Sequence, residues 1–281
     1  MDSALDFLPR NPRSSATACI GVFDSGVGGL SILRALHRVL PQAPVLYVAD
    51  SGHAPYGERS AAYVLERSRT VAAQLIDEGA VGLVIACNTA TAIAAQALRD
   101  EWPGTPIVGV EPGLKPAAAG TRNGRIGVMA TPATLASEKF RRLLQSQVGG
   151  AQVFPQACPG LARLIERGDL DAPDLQTAID EHTRPLREAA VDTVVLGCTH
   201  YTFVQDLIAA AMGAEVRIID TAEAVARHAA NTLGGLLPPA GAAAAARLRT
   251  TGSPHTLQRI ASAWLPFDCC VAPLTGNAAT R

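Results

Sequence analysis

Two cysteines carry the strongest chemical signal in this chain. Cys87 ends the run Leu83-Val84-Ile85-Ala86 and is followed by Asn88-Thr89; Cys198 ends Val194-Val195-Leu196-Gly197 and is followed by Thr199-His200. In both places an apolar run stops at a thiol, and small polar residues follow. That is the pattern of a strand ending where a helix begins. A helix N-terminus stabilises a thiolate, which can act as nucleophile or base. Asn88 and Thr89 add neutral hydrogen-bond donors beside one thiol, and His200 stands close enough in sequence to tune the other. Each motif also has a plainer reading. Cys87 can be a buried hydrophobe followed by a capping residue. His200 can be structural, or half of a metal site. Cys-x-His alone is poor zinc spacing, and no Cys-x-x-Cys or His-x-x-x-His accompanies it, so no metal is expected.

The two thiols belong to a repeat. Ile20-Gly21-Val22, followed by Asp24-Ser25, matches Ile126-Gly127-Val128, followed by Thr131-Pro132. The Cys87 run matches the Cys198 run in the same order and after nearly the same interval. Any two α/β segments share Val and Ile, but a Cys with nearby Thr at the same strand end is more than an apolar pattern. Duplication is therefore expected.

Other polar clusters fall at the ends of similar runs. Asp24-Ser25-Gly26-Val27-Gly28-Gly29 follows the first. Asp50 at the next strand end imitates a ribose-binding acid, but Ser31 stands where a dinucleotide fingerprint needs its third glycine. The glycines are read as letting backbone approach a small ligand. Asp50-Ser51-Gly52 leads into Pro55-Tyr56-Gly57, either a rigid ligand loop offering a hydroxyl or an ordinary turn. Cys158 to Gly168 predicts a short helix opened by Pro159 and ended by Gly168. Its Glu166 is a solvated surface acid or a site residue. Cys269-Cys270 is expected to be inert.

The elements that must position these residues follow from the apolar runs. Ala18–Phe23, Val45–Ala49, Gly82–Ala86, Ile107–Val110, Ile126–Met129, Thr193–Leu196 and Val216–Ile219 are short and mostly rich in Val and Ile, as strands buried on both faces of a parallel sheet require. Helical spacing fills Ser60–Glu78 and Thr91–Asp100, and a short amphipathic helix fits Thr256–Leu265. Alternation of this kind predicts an α/β fold of two pseudo-symmetric domains with mainly parallel sheets and the active site between them. The expected division is residues 1–108 plus 221–281 as the first domain and 109–220 as the second. Residues 1–16 are expected to be a loose extension without the apolar core of a signal peptide. The Pro-, Gly- and Ala-rich stretch Gly234–Ala246 shows little pattern.

Composition removes several function classes. The 281 residues are 48% hydrophobic and 4% aromatic, with a formal net charge of -1. That charge gives no footprint for nucleic acid or an anionic membrane. No run reaches membrane-spanning length. Six irregularly spaced cysteines in so long a chain suit a reducing cytoplasm better than a disulfide framework.

Taken together, the motifs resemble the glutamate racemase family of the aspartate/glutamate racemase superfamily. The matching stretches are Gly21–Gly26, Asp50 with Pro55–Ser60, Ala86–Ala92, Gly109–Pro112, Leu196–Tyr201 and Ile219–Thr221, with Thr250-Thr251-Gly252 later. Thr202 departs from the proline usual there. The resemblance implies a cofactor-independent, two-base racemase of L- and D-glutamate, supplying D-glutamate for peptidoglycan. It implies Cys87 facing the D-enantiomer and Cys198 the L-enantiomer, with Asp24 and His200 tuning the thiols. Asp24, Ser25, Tyr56, Gly57, Asn88, Thr89, Thr199 and His200 would hold substrate, and Asp50 and Glu166 are auxiliary acids. A homodimer is implied as well. A pyridoxal phosphate enzyme would need a lysine Schiff base. The lysines here, Lys115 and Lys139, lie outside the strand-end clusters.

Overall fold

The structure, a computed structural model, describes residues 18–147, 149–237 and 246–274. The proposed extension 1–16 and the centre of the Gly234–Ala246 stretch lie outside the described residues. The first βα series runs β1 (Cys19–Asp24), α1 (Leu30–Val39), β2 (Val45–Ala49), α2 (Ala61–Asp77), β3 (Ala80–Ile85), α3 (Asn88–Glu101) and β4 (Ile107–Gly109). The second runs α4 (Leu114–Gly120), β5 (Arg125–Ala130), α5 (Pro132–Leu135), α6 (Glu138–Gln147), β6 (Gln152–Ala157), α7 (Leu161–Glu166), α8 (Pro173–Glu188), β7 (Thr193–Gly197), α9 (Gln205–Met212) and β8 (Arg217–Ile219). The chain then adds α10 (Ala222–Leu233), β9 (Arg247–Thr250), α11 (Pro254–Trp264) and β10 (Cys270–Pro273). Among the described residues no helix is long and apolar enough to cross a membrane.

The strands form two sheets, ordered β10-β9-β2-β1-β3-β4 and β6-β5-β7-β8, and every pairing is parallel. The repeat expected from sequence is present down to its register. Ile20 pairs with Gly82 and Val45 in the first sheet; Ile126 pairs with Thr193 and Val153 in the second. The four strands β2-β1-β3-β4 thus have the connectivity of β6-β5-β7-β8. β1, β2 and β7 are buried along their whole length, which is why they read as unbroken apolar runs.

Local signals place the helices. Ser60 caps α2, its side chain accepting from the Tyr63 N–H at 3.3 Å, and Ser253 caps α11 with Pro254 in the first turn. α1 turns Leu30, Ile32, Leu33 and Leu36 into the core. One continuous apolar cluster includes Val22 and Tyr47 of the first sheet and Val194 and Leu196 of the second, so the two halves share part of their core.

Among the described residues there are ten strands where seven runs were expected. The additional ones are β6, β9 and β10. β6 and β10 are sheet edges and are largely half-exposed or exposed, with Pro155 inside β6, a position that edge strands tolerate. β9 alternates Arg247 and Arg249 with Leu248 and Thr250, and buries only the latter pair among these. None of the three presents a continuous buried run.

Asp192, just before β7, ties the foot of the second sheet together. Its Oδ1 accepts from the Thr121 and Thr193 hydroxyls at 2.6 and 2.9 Å, and its Oδ2 from the Arg122 and Asn123 N–H groups at 2.6 and 2.7 Å. Burial alone would raise its pKa, but these donors outweigh it and lower the carboxyl to about 2. The resulting stability is present above the ordinary aspartate range and is lost as pH falls through about 2. Asp192→Ala is expected to cost about 2 kcal/mol at neutral pH, with the difference from the parent narrowing in that acid window. Denaturant titrations at several pH values would show it; a pH-independent difference would contradict the assignment.

Candidate active site

The carboxyl ends of the two sheets meet face to face, and the singled-out residues gather there. Cys87 is the N-cap of α3, in extended geometry, and its sulfur accepts from the Ala90 N–H at 3.5 Å. This is the expected strand-to-helix junction. The thiol also donates to the Ser25 hydroxyl at 3.7 Å. Burial, then the charge of Asp24, push the Cys87 pKa well up, and the Ala90 N–H offsets this only in part.

Cys198 differs. It precedes a 3-10 turn, Thr199–Val204, and α9 begins only after that turn. The expectation of an α-helix N-terminus under both thiols is therefore corrected for the second. Its partner is His200, whose Nδ1 lies 3.8 Å from the sulfur. The other ring nitrogen, Nε2, meets Glu166 Oε2 at 2.6 Å. Burial pushes the His200 pKa down, but Cys198 and Glu166 more than reverse this and hold it well above the ordinary histidine value. Cys198, His200 and Glu166 form a chain of proton-carrying groups. Both thiols are nearly enclosed, at 4% exposure for Cys87 and 7% for Cys198. Among the described residues no group of three or more His, Cys, Asp or Glu is arranged to hold a metal.

Asp24 lies between the halves. Its Oδ1 accepts from the Ser25 N–H at 2.6 Å, and its Oδ2 from the Gly29 N–H at 2.5 Å and the Thr199 hydroxyl at 3.3 Å. Full burial raises its pKa; nearby His200 opposes that rise and Glu166 adds to it. A carboxyl of this kind, beside Cys87, can take and return a proton. Glu166 is equally a bridge: besides His200 it accepts from the Val27 N–H at 2.9 Å and the Ser51 hydroxyl at 2.6 Å.

The glycines of the first loop were expected to admit a ligand. In the structure Gly26 and Gly28 admit side chains of the opposite half. A Cβ on Gly28 would lie 2.5 Å from His200 Nδ1 and 2.7 Å from both Asp24 Oδ2 and Thr199 Oγ1. A Cβ on Gly26 would collide with the Glu166 carboxylate.

Asp50 is the outlying member of the set. Its oxygens accept the Tyr56 hydroxyl at 2.5 Å, the Arg67 guanidinium at 2.9 and 3.0 Å and the Thr251 hydroxyl at 2.8 Å. The Tyr56 hydroxyl, expected to face a ligand, is engaged by Asp50. Gly57 instead packs on Thr131, where a Cβ would lie 2.5 Å from the Thr131 Cβ.

Thr131 and Thr134 were not among the residues read as a site. They join Thr89 in a buried ring of hydroxyls 2.9 to 3.1 Å apart. The repeat held the signal, because Thr131 follows β5 as Ser25 follows β1. Asn88 is 4% exposed, and among the described residues its amide nitrogen is buried with no hydrogen-bond partner. Such a donor costs about 1–3 kcal/mol if it stays unpaired.

Comparison with known proteins adds to this geometry. The Asp/Glu/Hydantoin racemase family model matches residues 28–229. A glutamate racemase of Pseudomonas aeruginosa is 49% identical over 245 residues, covering 87% of this chain and 92% of that protein. The Escherichia coli glutamate racemase structure, in complex with L-glutamate and an activator, superposes with a TM-score of 0.81 at 30% identity, over 92% of this chain and 98% of that one. The Francisella tularensis glutamate racemase structure, in complex with D-glutamate, has a TM-score of 0.81 at 25% identity, over 94% and 100%. With the site and these likenesses in agreement, the chain belongs to the Asp/Glu/Hydantoin racemase family, on its glutamate racemase branch.

Proposed function

We propose that this enzyme interconverts L- and D-glutamate by proton transfer between Cys87 and Cys198. The observation that carries the reading is a pair of buried thiols, one from each copy of the repeat, each beside its own proton-exchanging group. Starting from L-glutamate, the Cys198 thiolate removes the α-proton: the C–H bond breaks and an S–H bond forms. The Cys87 thiol then gives its proton to the opposite face, leaving a thiolate. The reverse direction exchanges the roles. Asp24 beside Cys87 and His200 beside Cys198 restore the starting protonation, with Glu166 supporting the imidazolium. The α-carbanion needs oriented donors. Asn88 and the hydroxyls of Ser25, Thr89 and Thr199 supply them, and backbone of the Tyr56–Gly57 loop contributes to the far carboxylate. Asp50 acts indirectly, by holding that loop.

The glutamate complexes of the Escherichia coli and Francisella tularensis relatives support the substrate. The same reading places the enzyme in the cytoplasm as a homodimer, making D-glutamate for peptidoglycan without a cofactor. It also divides the chain into residues 1–108 plus 221–281 and residues 109–220, the site lying between.

Circular dichroism on each pure enantiomer of glutamate, aspartate and a hydantoin, with chelator and without pyridoxal phosphate, tests this. The expected result is decay of both glutamate signals to zero, with solvent deuterium at the α-carbon. Turnover of aspartate or hydantoin with none of glutamate would overturn the substrate assignment.

A further inference from the structure

Helix α7 carries Glu166 and follows β6 in the second half of the chain. Its own half holds it through His182 on the Pro159 carbonyl and Arg167 on Asp174, yet each end also has an anchor from the first half. At its leading end the Gly160 N–H donates to Glu58 Oε1 at 3.2 Å, and the Arg163 guanidinium pairs with Glu58 Oε2. At its trailing end Arg259 of α11 donates from Nη2 to the Arg167 carbonyl at 3.0 Å and from Nη1 to the Gly168 carbonyl at 3.1 Å. A guanidinium at a helix C-terminus satisfies carbonyls that have no partner within the helix. Ile260, the next residue of α11, closes against Gly168, where a Cβ would lie 2.8 Å from its side chain.

A helix of six residues cannot hold itself in place; its orientation comes from tertiary contacts. Left-handed glycines bound this one on both sides, Gly160 at φ 78 and Gly168 at φ 75. These are natural pivots. Rotation about them would carry Glu166, the last residue of the helix, away from His200. Leu161 and Ile165 are buried and resist sliding, but they do not select among small rotations. The two polar anchors do, together with the Val27 N–H and Ser51 hydroxyl that donate to Glu166 itself.

We propose that Arg259 and Glu58 are positioning residues, which clamp α7 at its two ends and so keep the Glu166 carboxylate on His200 Nε2. This rests on the two-thiol reading above. It assigns to the first half of the chain a task in the proton relay of the second: α11 and the Tyr56–Glu58 turn set the relay only when the halves are closed on each other. The clamp bonds are solvent-exposed, so each adds little to stability. Their removal is therefore expected in the rate and in the His200 titration, and hardly in the melting temperature.

The test uses the full chain with Arg259→Ala, Arg259→Lys, Glu58→Gln and Glu166→Gln. The readouts are kcat and KM for both enantiomers, and the His200 titration by imidazole NMR. The titratable groups facing that ring are Asp24, Cys198 and Glu166. Arg259→Ala should lower kcat about tenfold with little change in KM, the scale on which small misplacements act. It should also move the His200 midpoint down, as Glu166→Gln does. Arg259→Lys should recover part of both. Adding Arg259→Ala to Glu166→Gln should cost nothing further, because both break one link. If Arg259→Ala changes only thermal stability, or its effect adds fully to that of Glu166→Gln, the clamp is merely structural and the inference falls. If Glu166→Gln itself leaves kcat and the His200 titration unchanged, the relay is wrong and takes this inference with it.

Discussion

Cys87→Ser is expected to end racemisation while leaving exchange of the α-proton of L-glutamate with solvent. The remaining base, Cys198, can still remove that proton and return a solvent proton to the same face. A serine hydroxyl cannot serve as acid or base at neutral pH as a thiol does, so no proton is delivered to the opposite face. A positioned acid or base contributes about 10²–10⁴-fold, and racemisation should fall by at least that factor. Cys198→Ser should give the mirror result, exchange from D-glutamate without inversion. The two residual exchanges should differ. Burial and Asp24 hold the Cys87 thiol well above its ordinary range, whereas Cys198 has the His200 ring beside it. Exchange through Cys87 should therefore be slow near neutral pH and gain as pH rises. Because the enantiomers have equal free energy, kcat/KM must stay equal in both directions in any variant that still racemises. Asymmetry will be found in kcat and KM taken separately. Mass spectrometry of α-deuterium with chiral analysis reads all of this. D-glutamate formed from L-glutamate by Cys87→Ser at the parental rate would sink the two-base mechanism.

The second large effect is on stability. Asp50→Ala should destabilise the fold by about 3–5 kcal/mol, because it strips a buried ion pair of one partner. Arg67 would keep a largely buried guanidinium facing no carboxylate, and Tyr56 a buried hydroxyl without its acceptor. For a chain of this size that is a fall of about 10 °C in melting temperature. Asp50→Asn should cost less, since it keeps shape and one acceptor. The exposed Arg38–Glu223 pair is the control. Breaking it with Glu223→Ala should change stability by less than about 1 kcal/mol. Thermal unfolding measures each variant. If Asp50→Ala matches the Glu223→Ala control, the network has no structural weight. Activity should also drop in Asp50→Ala, since the Tyr56–Glu58 turn loses its anchor and Gly57 its seating on Thr131.

Much of the fold was legible because burial writes itself into composition. β1, β2 and β7 are covered on both faces, so nearly every residue is apolar and the runs stand out. The short helix predicted between Cys158 and Gly168 is present and stops before Gly168, but it is Gly160, not Pro159, that stands at its start. The strands that escaped notice are half-exposed edges or alternate charge with burial, as β9 does. A stretch such as Gln152–Ala157 becomes a strand because β5 offers it a free edge, and the six residues themselves contain no such instruction.

The same division holds at the site. By itself the sequence determined that two thiols end two equivalent strands, that small polar residues follow each, and that an acid and glycines end the first strand. Those are local facts, set by where apolar runs stop. Only the tertiary structure decided which distant side chains meet around the thiols. Thr199 reaches Asp24, Glu166 reaches His200 and Val27, and Asp50 turns to Arg67 and Tyr56. The contacts between Thr199 and Asp24 and between Glu166 and Val27 join residues far apart in the chain, across the seam between two sheets. No periodicity encodes such pairings, because they arise from the way the halves close and from the few places, such as Gly26 and Gly28, where the backbone leaves room for a side chain from the other side.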